Sequence, residues 1–197
     1  MSAFSLLFPD CSAVIDVALV LDLSGSLDDV YDSVVEFAKM TIYGLPVAVD
    51  RVHVAVVTFS DNATIQFYLD AYETNADVRN ALVFRRSGGK TNTQDAIRLT
   101  HRSVFSGSSG DRASVRNVMV LVTDGQSNVE PENTIPEAGF VHQDGIEVYV
   151  VGIGDDINVN EIDGIASDPK TSHEIFVHNP TDVSTSAGLL LNSLCQP

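Results

Sequence analysis

Apolar runs rich in β-branched residues recur along the chain, separated by longer segments in which apolar positions return every three or four residues. Residues 14–21 are nearly all apolar, as expected of a strand covered on both faces. Residues 52–59, 115–122 and 146–153 repeat that pattern. Residues 63–69 alternate instead and follow the turn cluster Ser60-Asp61-Asn62, which predicts an antiparallel edge strand in a hairpin with 52–59. A late strand region carries His173 and His178. Between these runs, residues 28–45 set Val30, Val34, Phe37, Ala38 and Thr41 at helical steps, and Gly44 with Pro46 ends the helix. Further helices are expected over 77–84, 93–105, 134–142 and 181–194, with a short one over 158–166.

Strands alternating with helices predict a doubly wound α/β fold. The expected sheet has six strands, mostly parallel with one antiparallel edge strand, and right-handed crossovers place helices on both faces. At 197 residues the chain suits one domain, 1–197, with a core of about 12–195. In such a sheet ligands bind beyond the carboxyl ends of the strands, where the strand order reverses.

Three polar loops fall at that end. The first strand runs into Asp22-Leu23-Ser24-Gly25-Ser26, and 115–122 runs into Thr123-Asp124-Gly125. Gly88-Gly89-Lys90-Thr91-Asn92-Thr93 opens the helix at 93. Two carboxylates with several hydroxyls form an oxygen-only donor set suited to a hard cation such as Mg²⁺, with Mn²⁺ or Ca²⁺ as alternatives. With no Cys or His in the set, zinc and copper are disfavoured. Gly25 lets Ser24 and Ser26 point to one place while Asp22 braces them.

Asp-x-Ser-x-Ser, a Thr within Gly-Gly-x-Thr-x-Thr, and Thr-Asp-Gly, in this order, resemble the metal-ion-dependent adhesion site (MIDAS) of von Willebrand factor type A domains. The ends of two further strands, Phe59-Ser60 and the segment 150–155, are similar to that family too. The resemblance implies that Ser24, Ser26 and Thr91 ligate the metal directly. It implies that Asp22 and Asp124 act mainly through metal-bound water, leaving a position open for a partner's Asp or Glu. Thr93 competes with Thr91 and is read as the helix N-cap. Asp29 falls where integrin β subunits place part of a second cation site, but Val30 takes the other position. Asp28 and Asp29 are therefore read as first-turn helix charges.

Other motifs carry less. Gly152-Ile153-Gly154 lacks the third glycine of a dinucleotide loop, since Ile157 stands in its place. Gly89-Lys90-Thr91 lacks the first glycine of a phosphate loop, replaced by Phe84. No G-x-S-x-G elbow exists, and His53, His101, His142, His173 and His178 are scattered, so no enzyme is expected.

Net charge of −16 disfavours nucleic acid and anionic membranes and leaves basic proteins, cations and mineral surfaces. No run approaches the ~20 apolar residues of a membrane helix. The opening Met-Ser-Ala-Phe-Ser-Leu-Leu-Phe lacks a basic n-region, so it is read as the start of a mature domain and not as a signal peptide. Cys11 and Cys195 flank the core, and a bond between them would add roughly 4–5 kcal/mol in the chain-entropy model. Two reduced, unrelated thiols are the alternative. A disulfide implies an oxidising, extracellular setting, with which the sequon Asn62-Ala63-Thr64 agrees.

Three functions follow as expectations. The first is a secreted matrix or adhesion module resembling collagen-binding matrix proteins, whose partner (collagen or another matrix protein) supplies a Glu or Asp to the metal. In some family members the last helix slides to switch affinity, and a Cys11–Cys195 bond would restrain it here. The second is an acidic matrix protein of a biomineral or of an invertebrate byssal thread or shell, binding calcium or mineral surfaces. The third is a cytosolic module working with an ATPase, disfavoured by the terminal cysteines and the sequon.

Overall fold

The computed structural model describes residues 11–196. The opening segment read as a mature start lies outside the described residues. Six strands form one sheet: β1 (Ile15–Asp22), β2 (Val52–Phe59), β3 (Ala63–Phe67), β4 (Arg116–Thr123), β5 (Glu147–Ile153) and β6 (Glu174–Val177). Their order is β3-β2-β1-β4-β5-β6, with only β3 antiparallel. The chain leaves β1 toward β2 on one side and returns to β4 on the other, so the strand order reverses between β1 and β4.

Strand alternation divides the core into two layers. Val17, Leu19 and Leu21 of β1, with Val120 and Val122 of β4, face α1 (Tyr31–Gly44), α2 (Asn75–Ala81) and α7 (Val183–Leu194). Ala18 and Val20, with Met119 and Leu121, face α3 (Thr93–Leu99), α4 (Thr134–Gln143) and α5 (Val159–Ile165). Every residue of β1 is buried, which explains the unbroken apolar run in the sequence.

The expected elements are present, with local differences. The helix expected from residue 28 begins as a tighter 3₁₀ stretch, Gly25–Val30, and only then becomes α1. α2 starts earlier than the pattern suggests because Thr74 caps it, accepting from the Asp77 amide at 3.2 Å. The helix expected over 93–105 is α3 followed by one wider turn, Thr100–Val104. A further short helix, α6 (Lys170–His173), precedes β6 and takes His173 out of the strand. No helix among the described residues is long and apolar enough to cross a membrane.

Cys11 and Cys195 are joined in a disulfide with Cα atoms 4.9 Å apart. The bond ties the segment before β1 to the end of α7. Nearby, Arg116 and the buried His173 hold the Glu147 carboxylate, His173 Nε2 at 2.7 Å and Arg116 Nε at 2.6 Å. Burial raises the pKa of Glu147, but those bonds and the guanidinium charge outweigh it and hold the group below its usual range. The carboxyl ends of the strands, at the opposite edge, hold the chemistry.

Candidate metal centre

β1 delivers Asp22, fully buried, at the reversal of strand order beside β4. Its two oxygens are both engaged: Oδ1 accepts from the Ser24 amide at 2.9 Å and Oδ2 from the Thr123 hydroxyl at 2.7 Å. Asp22 therefore fixes the loop after β1 to the end of β4. Gly25 makes the next step possible, since its amide bonds to the Gly89 carbonyl at 3.2 Å and a Cβ there would stand 3.3 Å from that oxygen. The two loops close on one another across this contact.

That closure gathers three hydroxyls. Thr91 Oγ1 donates to Ser24 Oγ at 2.9 Å, and the Ser24 and Ser26 hydroxyls lie 3.2 Å apart. Ser24 and Thr91 are buried, whereas Ser26 is exposed and marks the side open to solvent. Asp124, nearly buried, accepts from the Gln126 amide at 3.0 Å, and its carbonyl accepts from the Asn158 amide at 2.8 Å. Its charge acts on Asp22. All five residues expected at the site, Asp22, Ser24, Ser26, Thr91 and Asp124, thus belong to one group of loops.

The electrostatics of the group is unusual for a protein interior. Burial pushes the Asp22 carboxyl up to about 6 from 3.8; the bonds from Ser24 and Thr123 oppose the rise and the Asp124 charge adds to it. Among the described residues, neither Asp22 nor Asp124 forms an ion pair with Lys, Arg or His. Two buried carboxylates without a cationic side chain, behind three converging hydroxyls, are a donor set that a divalent cation fits. No cluster of three or more His, Cys, Asp or Glu suited to a metal occurs among the described residues, so the hydroxyls would have to complete any coordination.

One assignment needs correction. Asn92, not Thr93, caps α3: its side chain accepts from the Asp95 amide at 3.4 Å. Thr93 is the first helical residue, fully buried, and its hydroxyl is hydrogen-bonded to that of Ser127 at 2.6 Å. Asn is preferred over Thr as a cap, and the Thr93 hydroxyl has a partner from another loop. Asp28 does lie in the first turn of its 3₁₀ helix, as expected of a helix charge.

Several supporting residues escaped the sequence reading. Asn128, on the loop after β4, accepts from the Thr91 amide at 2.9 Å and donates its own amide to the Thr91 carbonyl at 3.0 Å. Asp61, at the β2–β3 turn, accepts from the Lys90 amide at 2.8 Å and packs against Gly89. Glu161 of α5 accepts from the Ser127 hydroxyl, and burial raises its pKa. Asn128 and Thr91 are 37 residues apart and carry no shared motif, so nothing local signals their pairing. Asp61 was visible only as a turn residue.

The model of the von Willebrand factor type A domain matches residues 16–189. The chain belongs to the von Willebrand factor type A domain family. Among curated relatives, the human von Willebrand factor A domain-containing protein 2 is 29% identical over 188 residues, covering 93% of this chain and 24% of that protein. The collagen alpha-1(XII) chain of Notophthalmus viridescens is 29% identical over 179 residues, covering 89% of this chain and 18% of the collagen chain. This A domain therefore spans a quarter or less of these relatives. Proximal thread matrix protein 1 from the mussel byssus, with a zinc-occupied MIDAS motif, superposes with a TM-score of 0.85 at 22% identity, over 94% of this chain and 49% of that one. Manganese-loaded Plasmodium vivax TRAP protein superposes with a TM-score of 0.78 at 17% identity, over 95% and 76%. At these identities the two structures support the A-domain fold. Matrix and adhesion proteins recur among the relatives, which supports an extracellular adhesion or matrix module.

Proposed function

We propose that this A domain binds a divalent cation through Ser24, Ser26 and Thr91, braced by Asp22 and Asp124, and uses it to hold a carboxylate of a matrix protein. The observation that carries this reading is the convergence of three hydroxyls in front of two buried carboxylates that have no cationic side chain. A cation there would act as a Lewis acid toward a partner's Glu or Asp. Direct neutral ligands leave the ion electrophilic, while the two carboxylates act through water. Exposed Ser26 leaves that side accessible. The site is read as a binding site and the domain as no enzyme.

Mg²⁺ suits the donor set, with Mn²⁺ and Ca²⁺ next. The mussel protein carries zinc at its MIDAS motif, so zinc, disfavoured here by donor softness, belongs in the same titrations. A collagen is the partner we favour, given the collagen chains among the relatives. Secretion into the extracellular matrix is part of the same reading, supported by those relatives and by the Cys11–Cys195 bond. Asn62 is exposed on the β2–β3 turn and is the glycosylation site we propose.

Solid-phase binding to a collagen panel with Mg²⁺ and with EDTA tests the reading. Binding to at least one collagen that disappears in EDTA and in Asp124→Ala is the expected result; binding indifferent to both would sink the metal role. A second reading, an acidic protein of a biomineral or byssal fibre, draws on the −16 charge and the likeness to the mussel protein. Adsorption to calcite or aragonite that survives Asp124→Ala would favour it.

A further inference from the structure

A groove runs along the outer side of α1, the helix that follows the Ser24–Ser26 loop. Tyr31, Val35, Lys39 and Tyr43 follow one another at four-residue steps and form a single ridge of that helix. Two depressions of about 360 and 280 Å³ lie along the ridge, the upper against Val83 and Phe84 and the lower against Arg79. They share Glu36 and Lys39, so they are continuous. α1 starts five residues after Ser26, and the segment that carries Val83 and Phe84 continues through Arg85, Arg86 and Lys90 to Thr91. Both walls are therefore joined by short stretches of chain to the two loops that carry the hydroxyls.

Charge distinguishes this groove from the rest of the surface. The chain has only 11 Lys and Arg; Lys39 and Arg79 line the groove, Arg86 lies over the Tyr31 ring of its wall, and Arg85 and Lys90 follow on the segment that leads from that wall to Thr91. Arg98, Arg112 and Arg116 are instead ion-paired with Asp95, Asp16 and Glu147. Two of the groove arginines are held in place: Arg86 lies over the Tyr31 ring at 5.1 Å and Arg79 over the Tyr43 ring at 5.3 Å. A guanidinium lying over an aromatic ring is pre-ordered while its N–H edge can still meet a carboxylate. The Tyr31 hydroxyl fixes the wall by donating to the Phe84 carbonyl at 2.7 Å. Asp32 and Glu36 lie in the groove as well, but the Arg86–Asp32 contact is long, 3.8 Å, with Asp32 92% exposed, and competes weakly.

We infer that this groove receives a short acidic, aliphatic segment of the partner, whose leading carboxylate reaches the metal; the inference rests on the metal reading above. From Tyr31 to Tyr43 α1 rises roughly 18 Å, the length of five or six extended residues. Carboxylates of the segment meet Arg86 and Arg79, and its aliphatic side chains cover Val35 and the 80%-exposed Val83. A peptide suits this surface better than a long polyanionic polysaccharide for two reasons. The apolar wall has no counterpart on a sulfated sugar chain, and the net charge of −16 repels a long polyanion beyond the groove while tolerating a short one.

Fluorescence anisotropy with a short fluorescein-labelled peptide of alternating Glu and Leu, in Mg²⁺, tests the inference. The Arg79→Glu/Arg86→Glu variant should weaken binding by about tenfold or more, and Arg102→Glu, an exposed site outside the groove, should leave it within about twofold. Melting curves verify folding, and the milder Arg79→Gln/Arg86→Gln pair replaces the first variant should it unfold. No binding of the peptide, equal binding by the groove variant, or tighter capture of a heparin oligosaccharide by the same arginines would each overturn the groove. EDTA separates the two readings. Loss on chelation without loss in the groove variant leaves the metal and removes the groove; loss in the groove variant without an effect of chelation does the reverse.

Discussion

A carboxylate removed from water without a cationic neighbour opposes folding, and Asp22 is such a group: fully buried, with the Asp124 charge nearby. Its bonds from Ser24 and Thr123 recover part of that cost, and a bound divalent cation would recover more. An amide at this position keeps an acceptor for the Ser24 amide and has no charge to bury. In EDTA, Asp22→Asn should therefore melt at the same temperature as the parent protein or above it. In excess Mg²⁺ the order should reverse, because only the carboxylate attracts the ion. Thermal melts of both proteins under both conditions check the crossing. A variant destabilised equally in EDTA and in Mg²⁺ would mean that Asp22 serves packing alone.

Elements set where these residues stand, and α7 is the one with the firmest anchor. Its last turn is fixed by the Cys11–Cys195 bond, and Leu191 packs so closely on α1 that a Cβ at Gly44 would come within 2.2 Å of its Cδ1. Cross-linking residues 184 apart limits the unfolded chain, so replacing both cysteines by alanine should cost roughly 4–5 kcal/mol at most, read from urea unfolding. Collagen affinity read on the same pair tests the restraint: a large gain without the bond is expected if α7 is held back from sliding, and no change removes that idea. Sequence periodicity revealed this level well. β1, β2, β4 and β5 were legible because strands buried on both faces are continuous apolar runs, and α5 (Val159–Ile165) lies within one residue at each end of the short helix expected over 158–166. β6 is four residues with alternating burial, too short for a pattern to define, and α6 is a single turn. That the five residues of the candidate site would gather at one end of the sheet was legible because each lies in a short motif at a strand end or helix start. Asn128, Asp61 and Glu161 were not, since each acts on a loop distant in sequence.

At the scale of the whole molecule, 27 acidic against 11 basic residues make two different claims on cations. The diffuse claim is general: like charges repel in the folded state, and any salt screens them, with the Debye length falling from ~30 Å at 0.01 M to ~8 Å at 0.15 M. NaCl should therefore raise the melting temperature gradually, without saturating at low concentration. The specific claim is the one proposed for the loops around Asp22, Ser24 and Thr91, and it would saturate. A cation at a hundred times its dissociation constant stabilises by ~2.7 kcal/mol, or roughly 5–10 °C for a domain of this size. Mg²⁺ should thus exceed NaCl of matched ionic strength by about that shift. Asp124→Ala should lose this surplus while keeping the response to NaCl, because removing one charge among so many leaves the diffuse repulsion nearly intact. If the variant and the parent protein gain equally from Mg²⁺, cation binding is spread over the acidic surface, and the fibre or mineral reading gains over the adhesion site.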